Sequence, residues 1–247
     1  MHSVILTVTI AVLFSAKAYA GWGASAFGAL RIPQVPTENP CESSTGWRES
    51  ICAFAKTHLV HYAWGYEHGI RDFLLSMKLA AEDEKNVDED VLFAAGLLHD
   101  IGGFPPYEKE GVDHAVRSTQ VIDPILEAAG FPMAKIDAVK KTILTHSYYG
   151  PTPPETSEAI ALHDADALDF LGAISLARIL SIAGKEKGIT DPNAAIKLLT
   201  KLQNDLPSKL YGGPFTKNLG KKRSEELKIF LQLIKDETFS LGLPSHN

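Results

Sequence analysis

Apolar positions are distributed unevenly along this chain, and each kind of spacing predicts a different kind of segment. Val4 to Phe14 is a largely apolar run, too short to cross about 30 Å of hydrocarbon as a helix. Residues 21–50 have no periodic apolar pattern and are rich in Gly, Pro, Ser and Thr, with Pro33, Pro36 and Pro40 spaced through them. That composition predicts an irregular arm. From about Ser50 helical spacing takes over. Ile70, Phe73, Leu74 and Met77 recur at i, i+3, i+4 and i+7, as on one face of an amphipathic helix. Val91 to Leu98 is apolar on every face, which predicts a helix buried all round. It is stopped at His99-Asp100-Ile101-Gly102-Gly103 by its glycines.

Residues 103–111 then read as a loop carrying Pro105 and Pro106. Asp113 is the expected N-cap of a helix starting at His114, and Pro124 either kinks that helix or starts a new one capped by Asp123. Ala134–Thr145 and Ser157–Leu180 are further helical stretches, separated by a Pro-rich loop at Gly150–Pro154. Two more are expected near Ala194–Leu206 and Arg223–Leu241, as packing and surface material. No alternating pattern of useful length and no internal repeat interrupts this succession. The expected class is all-α: a leader at 1–20, an arm at 21–50 and one helical domain at 51–247.

The leader assignment rests on Ala18-Tyr19-Ala20, a small-x-small cleavage pattern that makes Gly21 the first mature residue. The expected product is exported, to a periplasm or beyond, with no stable membrane insertion once the leader is removed. A retained anchor or a buried helix is the competing reading, because only the α-amino group and His2 supply positive charge at the start. Net charge is −6, and the basic residues are dispersed. Without a basic stripe, a nucleic acid polymer is not an expected partner. A small phosphorylated molecule stays open, since a metal ion can supply local positive charge. Cys41 and Cys52 are the only cysteines. In an exported chain they read as a disulfide closing a short loop, and otherwise as two thiols.

Among polar residues, His99 and Asp100 stand at the end of the most apolar segment. A carboxylate buried there needs a cation or a set of donors. A divalent metal satisfies both residues, and so does a hydrogen-bonded pair capping the helix. Asp164 shares a helix face with Ile160, Leu168 and Leu171, and one carboxylate on an apolar stripe also asks for a cation. Asp166 and Asp169 lie off that stripe, in supporting or solvated positions. His68 shares a face with Leu75 and Leu79, and Arg71 is close enough to hold a carboxylate or phosphate beside it. His114, Arg117 and Ser118 stand at i, i+3 and i+4 near a helix start. They form either a phosphate-holding patch or a solvated face.

His68-x-x-Arg71, Leu97-Leu98-His99-Asp100-Ile101-Gly102 and His163-Asp164-Ala165-Asp166-Ala167-Leu168-Asp169, in this order, resemble the HD-domain superfamily of metal-dependent phosphohydrolases. The similarity runs from about Trp64 to Leu180. It implies a helical bundle with a divalent metal held by His68, His99, Asp100 and Asp164, which would also be the catalytic set. It further implies that His114 and His146 line the pocket, holding phosphate or a second ion, while Arg71, Arg117 and Ser118 are expected as substrate contacts from their spacing alone. Relatives often carry Arg where this chain has Ala167, which would change the substrate if that arginine touches it. A mixed His/carboxylate set suits Mn, Fe, Ni, Zn or, less well, Mg. The expected reaction is attack of metal-activated water on a phosphate ester or anhydride, a nucleotide among the candidates. The alternatives are an HD-type hydratase or lyase on a small non-phosphorylated substrate, and a non-enzymatic metal- or ligand-binding envelope protein.

Overall fold

The computed structural model describes residues 38–243. The expected leader and residues 21–37 of the expected arm lie outside them. The described residues form nine α-helices and no strand: α1 (Trp47–His58), α2 (Tyr66–Glu82), α3 (Glu89–Leu98), α4 (His114–Ala129), α5 (Ile136–Leu144), α6 (Ser157–Asp169), α7 (Gly172–Ser181), α8 (Pro192–Asp205) and α9 (Pro214–Glu237). The all-α class holds. Among these residues no helix is long and apolar enough to cross a membrane.

Several boundaries differ from those expected, each for a packing reason. Helix α1 begins at Trp47, inside the expected arm, because the Trp47 ring packs edge-on against Phe131 at 4.9 Å and Phe93 at 5.6 Å. Helix α4 continues past Pro124 as one helix, so no new helix starts there. Buried Ile122, Ile125 and Leu126 on either side hold it helical despite the lost hydrogen bond, and Asp123 pairs with Lys140 instead of capping. The stretch 157–180 breaks at Phe170–Leu171, where Gly172 adopts φ 75° and Arg223 donates to the Leu168 carbonyl at 2.7 Å. Helix α9 starts at Pro214, well before Arg223. Its first turn is capped by Asp83, which accepts from the backbone of Gly213 and Phe215 at 2.9 Å. That cap comes from the far end of α2, beyond the reach of any local sequence rule.

Two apolar cores result, with α2 between them. Phe73 of α2 joins Leu92, Phe93, Leu97 and Leu98 of α3 and the buried faces of α1, α4 and α5. Leu75 and Leu79 of α2 join Leu168, Leu171, Ile179, Leu199 and Leu227. Helices α2 and α3 touch backbone to backbone at Gly69 and Gly96. A Cβ on Gly69 would lie 2.8 Å from the Gly96 carbonyl oxygen, and one on Gly96 would lie 3.0 Å from the Phe73 Cβ. This close crossing brings His68 alongside His99.

Cys41 and Cys52 form a disulfide, tying the turn ahead of α1 to that helix. Replacing both with Ala should lower stability by about 2–3 kcal/mol, the loop-closure contribution of a short bridge. Denaturant unfolding checks this; a midpoint equal to that of the oxidised protein would contradict it.

Candidate metal centre

On α2, His68, Asp72 and Ser76 recur at i, i+4 and i+8, all three buried. They make a polar seam that faces α6, where Ser76 donates to the Ala161 carbonyl at 3.2 Å. His68 Nδ1 donates to Asp169 Oδ2 at 2.8 Å, so the lone pair of Nε2 faces the cluster. That Nε2 lies 3.2 Å from Asp72 Oδ2 and 3.3 Å from Asp166 Oδ1. His99 is oriented in the same way, donating from Nδ1 to the Gly96 carbonyl at 2.9 Å. Its Nε2 lies 3.4 Å from Asp100 Oδ2 and 3.7 Å from Asp72 Oδ2. One ligand atom from each of His68, Asp72, His99 and Asp166 falls within 4.8 Å of the other three.

The donor set fits a divalent cation. His68 Nε2, His99 Nε2 and both Asp72 oxygens are buried without a hydrogen-bond partner among the described residues, a costly state for atoms converging on one point. Imidazole nitrogen with carboxylate oxygen is ordinary divalent-metal chemistry. Without a cation the cluster takes up protons. Burial pushes Asp72 up to about 7. Burial opposes charge on His99, but the Asp100 carboxylate outweighs it and holds His99 up to about 10.

Asp100 joins a second group with His99 and His146. His146 Nδ1 donates to the Ile143 carbonyl at 2.7 Å, leaving Nε2 3.5 Å from Asp100 Oδ1 and 3.1 Å from His114 Nε2. His114 Nε2 is itself 3.4 Å from Asp100 Oδ1. Burial alone would raise Asp100, yet His99 and His146 hold it well below the usual carboxylate range. Burial keeps His146 below its ordinary value.

The expected residues separate on this geometry. His68, His99, Asp100, His114 and His146 come together. Arg71 does not face a ligand: its Nε and Nη2 each donate to Asp169 at 2.9 Å. Arg178, buried on α7, donates to the same carboxylate at 2.6 Å. Asp169 therefore acts through His68, whose ring it orients. Arg117 donates from Nε to the Tyr107 carbonyl at 2.6 Å. Ser118 is buried, donating to the His99 carbonyl at 2.6 Å and accepting from Gly102 N at 2.8 Å. It pins the turn after His99 against α4, a contact so close that a Cβ on Gly102 would lie 2.4 Å from Ser118 N.

Asp164 does not join the cluster. It accepts from Gly212 N at 2.6 Å and Tyr211 N at 3.0 Å, and lies 2.9 Å from His163 Nδ1. The stripe it shares with Leu168 and Leu171 faces the second core, and the backbone ahead of α9 satisfies its charge. Every residue of α6 from Ala161 to Asp169 is buried, so an apolar stripe could not say which face meets the histidines. Asp166, two residues on, meets them. Asp72 joins them as well, a residue that the sequence pattern does not single out. Its i+4 spacing from His68, and the i+3 spacing of Asp169 from Asp166, were the available signals.

A cavity of about 550 Å³ opens onto Asp100, Asp166 and His114, with Trp64, Tyr148 and Phe170 among its walls. Ala167 is packed inside the second core and is not part of its lining.

Two outcomes follow for metal-stripped protein. In calorimetric titration with Mn²⁺ or Zn²⁺, Asp166→Ala should lower affinity by at least about 100-fold. Asp164→Ala should leave affinity within a few-fold and lower stability by about 1–3 kcal/mol, through backbone donors left unpaired. Equal losses of affinity would return Asp164 to the site. The second outcome concerns pH. Asp72 and His99 both have folded-state values raised above the ordinary ones, about 3.9 and about 6.5. Their stabilisation is therefore complete below those ordinary values and is lost as pH rises towards about 7 and about 10 respectively. The metal-stripped protein should melt at progressively lower temperature as pH is raised through that window. Saturating metal should remove most of the slope, and thermal scans of both forms check it.

The HD domain family model matches residues 65–171. No curated protein matches the chain in sequence. Among solved structures, Bacillus subtilis YpgQ in complex with ADP is similar at 19% identity and a TM-score of 0.57, over 77% of this chain and 97% of that one. A protein named as a predicted HD superfamily hydrolase, from an uncultured Thermotogales bacterium, is similar at 23% identity and a TM-score of 0.54, over 77% and 92%. A Lactobacillus plantarum protein is similar at 23% identity and a TM-score of 0.56, over 78% and 97%. At these identities the likeness is one of fold.

Proposed function

We propose that this chain, whose residues 65–171 match the HD domain family model, is a metal-dependent phosphohydrolase, exported and acting on a small phosphorylated molecule. The observation that carries the reading is the convergence of partnerless buried His68 Nε2, His99 Nε2 and Asp72 oxygens beside Asp166 and Asp100, at the end of a ligand-sized cavity.

His68, Asp72, His99 and Asp166 would hold the cation, with Asp100 on the side open to the cavity. A divalent cation there supplies Lewis acidity, lowering the pKa of a water and neutralising charge on phosphoryl oxygens. Asp169 and the Gly96 carbonyl keep the two histidine rings in the ligating tautomer. His114 Nε2, which reaches both Asp100 and His146, is the hydrogen-bond donor for a phosphoryl oxygen. Buried, neutral His146 completes that pair and is placed to share its proton. The aromatic walls keep bulk water from the reacting group.

The ADP in the YpgQ complex supports a phosphorylated ligand class for this fold. The Cys41–Cys52 bridge supports export, because disulfides persist in oxidising compartments. Mn, Fe, Ni and Zn suit the donor set. One observation favours the second reading, a hydratase or lyase on a non-phosphorylated substrate: Arg71, Arg117 and Arg178 are all committed to protein partners.

The test is phosphate release by the chain from Gly21 onward, stripped and reloaded with each metal in turn, on phosphate mono-, di- and triesters and anhydrides. Metal-dependent release that falls by at least about 1,000-fold in Asp100→Ala is expected. Tight metal binding with no release from any of these substrates would transfer the weight to the hydratase or lyase.

A further inference from the structure

The cavity in front of the histidines is lined by two kinds of residue, a few charged groups and many apolar ones. Its inner end carries Asp100, Asp166 and His114, with Asp113 at the rim. Most of the remaining lining is aromatic, as at Trp64, Tyr148 and Phe170, or aliphatic, as at Ile179, Leu198 and Leu202, with Ser147 the polar exception. The aromatic side is braced internally. Tyr148 and Phe170 meet ring to ring at 5.5 Å, Phe170 lies 5.8 Å from the His68 ring, and the Arg178 guanidinium sits 4.1 Å over Phe170. Trp64 is stacked on His61 at 4.1 Å. Such walls are rigid and keep their shape for an apolar guest.

The cations near this cavity are turned to other work. Arg71 and Arg178 are bound to Asp169, and Arg117 to the Tyr107 carbonyl. Lys209 donates to the Tyr148 carbonyl at 2.9 Å, and Lys201 pairs with Asp205 behind the Tyr149 ring. One phosphoryl group can be neutralised at the histidine end. A second or third phosphate would find no uncommitted cation among these residues, and would lie beside apolar wall, the Asp113 carboxylate or solvent. The aliphatic side comes from α7, α8 and the turn between them, so its Ile179, Ile189, Leu198 and Leu202 lie beyond residues 65–171. This part of the cavity is therefore contributed by the chain's own C-terminal helices rather than by the matched domain.

We propose that this cavity takes a phosphomonoester whose alcohol part is an aromatic or comparably apolar group, in preference to a nucleoside di- or triphosphate. The assignment rests on the phosphohydrolase reading for its reaction, and on the cavity walls for its selectivity. Hydrolysis breaks the phosphorus–oxygen ester bond with water, giving inorganic phosphate and the free alcohol or phenol. The leaving oxygen takes up one proton, and no redox partner is involved.

Two measurements on metal-loaded protein separate the selectivity from the reaction. In calorimetry, phenylphosphonate should bind about tenfold more tightly than methylphosphonate, the difference made by one ring against aromatic walls. In phosphate-release assays, kcat/KM for phenyl phosphate should exceed that for glycerol phosphate and for ATP by about tenfold or more. Leu198→Lys, at a partly exposed position, should cut the phenyl phosphate value about tenfold and narrow its lead over ATP; its thermal scan shows whether it folds. Equal affinity for the two phosphonates, or a higher kcat/KM for ATP than for phenyl phosphate, would overturn the proposal whatever the variant does. Tighter phenylphosphonate binding with no phosphate released from any ester would uphold the apolar ligand class and remove the hydrolytic reading beneath it.

Discussion

Buried negative charge is the constraint around which this protein is arranged. Asp72, Asp166 and Asp169 lie in the interior and Asp100 mostly so, while carboxylates without compensation are among the costliest groups a fold can enclose. Asp169 is compensated by protein alone, through Arg71, Arg178 and His68. The other three are not. Two guanidinium groups stand against four carboxylates, and with neutral imidazoles the imbalance is that of one divalent cation. The same imbalance raises Asp72 and His99 when only protons are available to them.

Around that charge the backbone is brought unusually close. Gly69 against Gly96 lets α2 and α3 cross without side chains between them, and Gly102 lets the turn after His99 lie on the start of α4. Each contact delivers ligands rather than stability. The first sets His68 beside His99, and the second sets Asp100 beside His114 and His146. Ser118, which sequence spacing had offered as a phosphate ligand, is the pin that keeps the second contact closed.

The C-terminal helices do more than cover the bundle. Their leading backbone, Tyr211 to Phe215, satisfies Asp164 and Asp83, which explains how a carboxylate on an apolar stripe of α6 can be neutral in its demands on the metal centre. Further along, α7 and α8 supply the aliphatic side of the cavity. One end of the cavity is therefore lined from within the matched residues 65–171, and the other by helices that follow them. This division separates the chemistry from the selectivity.

Periodicity and a capping residue were enough to read the all-α class, the buried α3 and the cap at Asp113 from the sequence. The meeting of His68 with His99 and Asp100 was legible only through the resemblance to the HD-domain superfamily, since no local rule brings α2 beside the end of α3. The Cys41–Cys52 pairing was legible locally, as the only two cysteines lie within one short loop. Only the tertiary structure decided that Asp166 and Asp72 complete the cluster while Asp164 turns to the backbone at Tyr211 and Gly212. It also placed Arg71 on Asp169, Arg117 on the Tyr107 carbonyl and Ser118 on the turn after His99. A helix buried on every face carries no amphipathic signal to say which side meets which neighbour. The partners that settle the matter come from segments tens of residues away, whose approach is fixed by packing and not by any local pattern.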